Sequence, residues 1–225
     1  MLYGLGIIML IVSLILSANV NEKFKKWSDK PNRMGLTGAD VAHRMLVANG
    51  IKDVEIIASS DRNLSDHYDP KKKVICLSAD VYNNASIAAV AVAAHECGHA
   101  IQHNQKYVPL SLRNKLVPLA SFGSTAGFWI CLVGAFVGSF FWPALLLIEL
   151  GILFFAFAVI FHLITLPVEY NASNRALETL ESSGMLSSDE TSGAKEVLSA
   201  AALTYVAAAF ASAIQLFRFI GLRNN

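Results

Sequence analysis

The chain has 225 residues, of which 54% are hydrophobic and only 16% are charged. Soluble domains usually carry about 25% charged residues, so this composition indicates a membrane protein. The net charge of +1 gives no reason to expect a nucleic-acid partner, and three cysteines without paired spacing predict a reducing compartment, not a disulfide framework.

The first apolar run covers residues 2–18 and contains no charge. At about 1.5 Å per residue, a helix of this length is just long enough to cross a bilayer. A cleaved secretory signal would begin with positive charges, whereas the charges of this chain begin after the run, at Glu22. We therefore expect residues 1–20 to be a permanent membrane anchor.

Residues 21–118 predict a small α+β region. LTGADVAHRMLVANGI has a helical pattern, with Thr37 as the N-cap and Gly50 as the stop. DVEIIAS alternates like a strand, and LSDHYDPKKKVICLS predicts two strands joined by a turn at residues 69–70. Residues 86–103 then predict a helix that is apolar on nearly every side and therefore buried.

This buried helix contains HECGH, an HExxH pattern. Positions i and i+4 of a helix share one face, so His95 and His99 can direct their imidazoles at one ion. Glu96 lies about 100° further round the helix, where it can contact a water on the ion without binding the metal. The pattern predicts a Zn²⁺ site in which Glu96 is the general base of a metallopeptidase. The alternative is a hydrogen-bonded core cluster, which is costly to bury without a function.

Three more apolar runs follow the metal motif. Two of them lie within residues 119–166 and are separated only by WP and its neighbours, which predicts a transmembrane helical hairpin. Glu149 is expected near the hairpin turn, solvated at the far interface. The last run, within residues 197–225, is rich in small residues that suit close packing of membrane helices.

A catalytic zinc ion needs a third protein ligand and one open position. We expect Glu169 as this ligand, at the start of a helix within residues 167–196, because the hairpin returns the chain to the face it left. The alternative for Glu169 is a helix N-terminal acid favoured by the macrodipole. His67 on a neighbouring strand is a rival ligand. His103 lies one turn beyond His99, and one rigid helix cannot easily direct three side chains at one ion.

The cationic residues predict which side of the membrane holds the site. Of the 18 Lys and Arg residues, 14 lie between Lys23 and Lys115, and two more lie between the third and fourth runs, at Arg175 and Lys195. The positive-inside rule therefore predicts a multi-pass cell-membrane protein whose two polar segments, and active site, face the cytoplasm.

Four segments resemble the YugP-type neutral zinc metallopeptidases of bacterial membranes: DHYDPKKKVICLS, AVAAHECGHAIQ, LPVEYNASNRALETL and AAALTYVAAA. A more distant likeness is to the HtpX and CAAX-processing membrane peptidases, where a membrane hairpin also separates HExxH from a glutamate ligand. The resemblance implies a zinc peptidase with a zincin-like core, in which His95, His99 and Glu169 bind the metal and Glu96 is the base. Family members often have an aspartate at the position of Asn171. A carboxylate there could orient a ligating histidine, whereas Asn171 can accept a hydrogen bond but has no charge.

A tetrahedral intermediate needs a hydrogen-bond donor to its oxyanion besides zinc. Arg175 is one candidate, but it is equally able to pair with a buried acid such as Glu178. Cys97 points away from the motif face and is expected to pack in the core. The oxyanion candidates are His67, Tyr170, Arg175 and Tyr205.

The sequence as a whole predicts an α-helical multi-pass membrane protein with a small α+β zincin-like core, in which a short sheet edge lies beside the HExxH helix. The strand KVICLS is expected to bind extended peptide substrates along its edge, including flexible segments of membrane proteins. Two alternatives remain open: a zinc hydrolase acting on a non-peptide amide, and an inert scaffold whose structural metal would be closed by a fourth ligand.

Cysteine labelling tests the predicted orientation. In intact cells, an impermeant thiol reagent should not label Lys72→Cys or Ser187→Cys, and lysis should allow labelling of both. The unsubstituted protein is the control for its own three cysteines. Labelling of either substituted site from outside the cell would contradict the cytoplasmic assignment.

Overall fold

The computed structural model describes residues 2–59, 66–138 and 145–223. These residues form seven helices and three strands. The helices are α1 (Leu2–Ser28), α2 (Gly38–Ala48), α3 (Ala79–Tyr82), α4 (Ile87–Asn104), α5 (Val108–Gly138), α6 (Leu145–Ser182) and α7 (Ser188–Arg223). The strands are β1 (Glu55–Ala58), β2 (His67–Asp69) and β3 (Val74–Leu77).

Four of these helices, α1, α5, α6 and α7, are long and apolar enough to cross a membrane. Together with the small sheet, they confirm the predicted class: a helical multi-pass protein with a short α+β core. The predicted hairpin turn, including Trp142, lies outside the described residues.

The chain divides into two compact units. One comprises Leu16–Tyr107 and Val168–Leu203, and it contains the sheet and the metal motif. The other comprises Met1–Ile15, Val108–Pro167 and Thr204–Asn225.

Local sequence signals set the limits of α2 as predicted. The Thr37 hydroxyl accepts a hydrogen bond from the Asp40 backbone N–H at 3.1 Å, and the Asp40 carboxylate accepts one from the Thr37 N–H at 2.9 Å. This reciprocal capping box satisfies two donors that a helix start would otherwise leave unpaired. Gly50 has a φ of +68°, a conformation in which glycine meets no steric penalty, and it follows the helix end.

The sheet has the strand order β1-β3-β2. β3 pairs in parallel with β1 and antiparallel with β2, so KVICLS forms the central strand. The expectation that substrate binds along the edge of this strand is therefore wrong, because hydrogen bonds to its neighbours occupy both of its edges. β2 is an edge strand, and it lies beside α4, where the Tyr68 hydroxyl is 2.7 Å from His103 Nδ1.

Helix α4 runs through the middle of the core, as its composition predicted. Fourteen of its 18 residues are buried, many of them alanines that allow other elements to approach closely. The core residues around it include Val41 and Met45 of α2, Ile75 and Leu77 of β3, and Leu180 of α6. The polar side chains of the motif are therefore held by apolar packing on several sides.

In the unit that contains α5, glycines allow α5 and α6 to pack closely. A Cβ atom added at Gly127 would lie 2.8 Å from the Gly151 carbonyl oxygen, and one at Gly151 would lie 2.5 Å from Cys131 Sγ. Small residues at membrane-helix interfaces permit this kind of backbone approach. Glu149 has a half-exposed side chain that pairs with Arg223 at 2.8 Å.

Helix α6 differs from the prediction in one respect that matters for the site. It is a single helix of 38 residues with Pro167 in its interior, so Glu169 lies within a helix and not at its start. Proline removes one backbone hydrogen bond and usually kinks or ends a helix, but here the helix continues past it. The macrodipole alternative for Glu169 is therefore wrong, because this residue lies in the interior of α6 and not at its N-terminus.

Candidate metal centre

Two histidines of α4 face one point, as their spacing predicted. The ring centroids of His95 and His99 are 4.8 Å apart, and the ring planes are nearly perpendicular, at 83°. Both side chains are largely shielded, with 15% and 11% of their surface exposed. Their Nε2 atoms are directed at a third side chain, which comes from α6.

That third side chain is Glu169. Its Oε2 atom lies 3.2 Å from His95 Nε2 and 3.5 Å from His99 Nε2, and the residue is only 2% exposed. One ligand atom from each of the three residues lies within 4.8 Å of the others. The structure thus brings two imidazole nitrogens of α4 together with one carboxylate oxygen of α6, which lies 74 positions after His95 in the chain.

The donor atoms and their spacing fit zinc. Zinc bonds of 2.0–2.1 Å at tetrahedral angles place neighbouring ligand atoms about 3.3 Å apart, which lies between the two distances from Glu169 Oε2 to the histidine Nε2 atoms. Two histidines and one glutamate also form a known set for catalytic zinc with one open position. In the described part of the chain, the group that could hold a metal ion comprises these three residues. A structural zinc site would have a fourth ligand.

Gly98 explains how α6 comes close enough for Glu169 to reach α4. A Cβ atom added at Gly98 would lie 2.4 Å from the Ala172 carbonyl oxygen, far inside van der Waals contact. Gly98 is one of the two unspecified positions in HExxH, and Ala172 lies one helical turn after Glu169. The absence of a side chain at Gly98 therefore allows the two helix backbones to touch beside the three ligand atoms.

Two outer partners of the histidines were not predicted. Ser173 Oγ is 3.1 Å from His95 Nδ1, and Gln102 Oε1 is 3.1 Å from His99 Nδ1. A signal existed in the spacing: Ser173 follows Glu169 by four residues and Gln102 follows His99 by three, so each shares a helix face with a ligand.

The rival ligands lie apart from this group. His103 Nδ1 bonds the Tyr68 hydroxyl, and burial raises the pKa of that tyrosine to about 12. His67 lies on the edge strand β2 with an exposed side chain. Neither histidine belongs to the metal-binding group of the described residues.

The predicted oxyanion candidates differ in their surroundings. Arg175 donates from Nε to Asn171 Oδ1 at 2.7 Å and from Nη1 to Gln105 Oε1. These are amide partners, so the alternative in which Arg175 pairs with an acid such as Glu178 is not the contact that the structure gives. Tyr170 is 43% exposed. Tyr205 belongs to the other compact unit.

Among the described residues, Asn171 forms no hydrogen bond to a histidine. Its Oδ1 accepts hydrogen bonds from Arg175 Nε at 2.7 Å and from Gln102 Nε2 at 2.9 Å. Asn171 is therefore linked to His99 through Gln102, and not by the direct hydrogen bond that the family pattern suggested.

Glu96 is 8% exposed and follows His95 on α4. Among residues 2–59, 66–138 and 145–223, no side chain or backbone group donates a hydrogen bond to its carboxylate. Asp66 is close enough for the negative charge of Glu96 to act on it. Burial is the main cause that raises the pKa of Asp66, and repulsion from Glu96 raises it further.

Cys97 points into the core, where its thiol faces the Ala42 carbonyl at 3.7 Å and burial raises the pKa of the thiol.

Comparison with known proteins agrees with this chemistry. Residues 2–224 match the family model described as "Putative neutral zinc metallopeptidase". The chain is 46% identical over 201 residues to the "Putative membrane protease YugP" of Bacillus subtilis (strain 168). The aligned region covers 89% of this chain and 87% of the relative. No solved structure matches the chain.

Gly98→Ala tests the close approach of the two helices. Alanine favours an isolated helix over glycine by about 1 kcal/mol, so helix propensity alone predicts a more stable protein. The clash with Ala172 should instead move α6 away from α4, lower the melting temperature and weaken metal binding by at least about tenfold. Metal titration and thermal unfolding of the purified protein measure both effects. Wild-type metal affinity in this variant would contradict the proposed constraint.

Proposed function

Because the chain belongs to the family of neutral zinc metallopeptidases, we propose that it is an integral membrane zinc endopeptidase in which Glu96 is the general base. His95, His99 and Glu169 hold the metal. The observation that carries the proposal is the convergence of both histidine Nε2 atoms on one oxygen of a buried glutamate, at 3.2 and 3.5 Å.

A cation explains this arrangement better than a hydrogen-bonded core cluster does. A single carboxylate oxygen faces two imidazole nitrogens, and without an ion each imidazole would have to donate a proton toward it. A neutral imidazole can donate from Nε2 only if its Nδ1 is the acceptor, but His99 Nδ1 faces the Gln102 amide oxygen, which is itself an acceptor. A divalent cation instead uses the lone pairs of all three groups at once.

Zinc, when bound, would polarise the substrate carbonyl and make water more acidic. The other catalytic steps belong to the protein. The Glu96 carboxylate accepts a proton from the attacking water and later donates it to the leaving amine. Its position directly after His95 suits this role, and burial keeps bulk water from competing for the carboxylate.

The edge strand β2 offers a binding site for the substrate backbone. It pairs with β3 and with no other strand of the described residues. Tyr68 of β2 and His103 of α4 are in contact, which holds this edge against the helix that carries the metal motif. An extended peptide added to β2 would be bound through its main chain, so selection by side chains would be weak. This arrangement favours flexible segments of polypeptides, including those of membrane proteins, as substrates.

The cytoplasmic location of the site is part of the proposal. Two observations support this location: 14 of the cationic residues lie between Lys23 and Lys115, and four apolar helices are long enough to cross a membrane. The proteins that this enzyme would meet there are membrane proteins with segments exposed on the cytoplasmic side.

Alanine substitutions distinguish the ligands from the neighbouring histidine. We expect about one Zn²⁺ per chain in the purified protein, loss of zinc in His95→Ala and His99→Ala, and strong weakening in Glu169→Ala. His103→Ala is the matched control, because it removes an imidazole from the same helix and should leave zinc content nearly unchanged. Elemental analysis measures the zinc content of each variant, and chelator competition measures its zinc affinity. Full zinc occupancy in His95→Ala or His99→Ala would refute the ligand assignment.

Glu96→Gln separates catalysis from metal binding. The amide preserves the shape of the side chain but cannot accept the proton, so peptide hydrolysis should fall by about 10²–10⁴-fold while zinc remains bound. Digestion of a peptide library, with zinc measured on the same samples, tests this. Near wild-type cleavage would exclude Glu96 as the base, and loss of zinc would mean that Glu96 supports the metal instead.

A further inference from the structure

The two histidines differ in the partners of their Nδ1 atoms. His95 Nδ1 faces the hydroxyl of Ser173, which can either donate or accept a hydrogen bond. His99 Nδ1 faces Oε1 of Gln102, which can only accept. The orientation of the Gln102 amide therefore decides whether His99 must carry a proton on Nδ1.

Two acceptors fix the orientation of that amide. Gln102 Nε2 lies 2.8 Å from the Val168 carbonyl oxygen and 2.9 Å from Asn171 Oδ1. A backbone carbonyl has no proton to donate, so the group facing Val168 must be the NH₂ of Gln102. The flipped amide would place two oxygens against each other in a fully buried position, since Gln102 is 0% exposed.

Arg175 fixes Asn171 in the same way. Its guanidinium carries only donors, and its Nε lies 2.7 Å from Asn171 Oδ1. Arg175 is itself held by Gln105 and lies over the Tyr107 ring, with its Cζ 5.9 Å from the ring centre. The Asn171 oxygen must therefore face both Arg175 and Gln102.

We infer that Arg175, Asn171 and Gln102 are positioning residues that force His99 to carry its proton on Nδ1 and to present the Nε2 lone pair to the metal. Arg175 orients Asn171, Asn171 orients Gln102, and Gln102 accepts the Nδ1 proton of His99. In the described part of the chain, the Nδ1 partner of His95 is the Ser173 hydroxyl, which accommodates either tautomer. This inference rests on the proposed zinc site and extends it by three residues that do not touch the ion.

Zinc affinity, measured by chelator competition on the full-length protein in detergent, tests the chain of contacts. Gln102→Met keeps the size of the side chain but cannot accept the proton, and it should weaken zinc binding by about 10–100-fold. Asn171→Leu and Arg175→Met should weaken it in the same direction, although neither residue touches a histidine. Asn171→Asp should retain tight binding, because a carboxylate accepts from both donors.

Ser173→Ala is the matched control, because it removes the Nδ1 partner of His95. That partner does not fix which nitrogen of His95 carries the proton. It should weaken zinc binding less than Gln102→Met does. The absorption spectrum of the Co²⁺-substituted protein should change in Gln102→Met and remain like wild type in Asn171→Asp. The melting temperature of the metal-free proteins separates a lost metal contact from a general loss of stability.

The outcomes distinguish this inference from the proposed function. Wild-type zinc affinity in Gln102→Met, or equal losses in Gln102→Met and Ser173→Ala, would overturn the directional chain while leaving the zinc site intact. A wild-type protein that binds no zinc would refute the proposed function itself. If Gln102→Met does not fold, the contrast between Asn171→Leu and Asn171→Asp still decides: equal affinity in these two would overturn the inference.

Discussion

The candidate metal centre depends on the close contact between α4 and α6 at Gly98 and Ala172. A Cβ atom at Gly98 would lie 2.4 Å from the Ala172 carbonyl, so the backbones can meet only because this position has no side chain. At this separation, Glu169 reaches both His95 and His99 with a single carboxylate oxygen.

The polar groups around this contact are expensive to bury, and the structure offsets the cost by pairing them. Gln102 is fully buried, and its oxygen and its nitrogen both have partners of the correct type. Asn171 accepts from Arg175, which itself reaches Gln105. A buried network of this kind restrains its members when every group is satisfied, and is destabilising when one is not. This is the physical reason to expect that substitutions two contacts away from a histidine affect the metal.

Helix α6 serves two purposes along one continuous element. Its N-terminal part is apolar and suited to a membrane, and its C-terminal part carries Glu169, Asn171, Ser173 and Arg175. Pro167 lies between the two parts and marks the limit of one compact unit. The spacing of four residues between Glu169 and Ser173 places both on the helix face toward α4, where both contact His95.

The sequence by itself determined the features that depend on local patterns of residues. Apolar length predicted the four long helices, Thr37 and Gly50 predicted the limits of α2, and the i, i+4 spacing predicted that His95 and His99 share a face. The choice of Glu169 followed from the hairpin pattern, although its place within a helix did not. Only the tertiary structure decided the order of the strands, the continuity of α6 past Pro167, and the partners of Gln102, Asn171 and Arg175. Periodicity reports which face of an element is buried but not which element covers it. Strand order and hydrogen-bond partners depend on contacts between residues far apart in the chain, and those contacts form only when the whole core packs together.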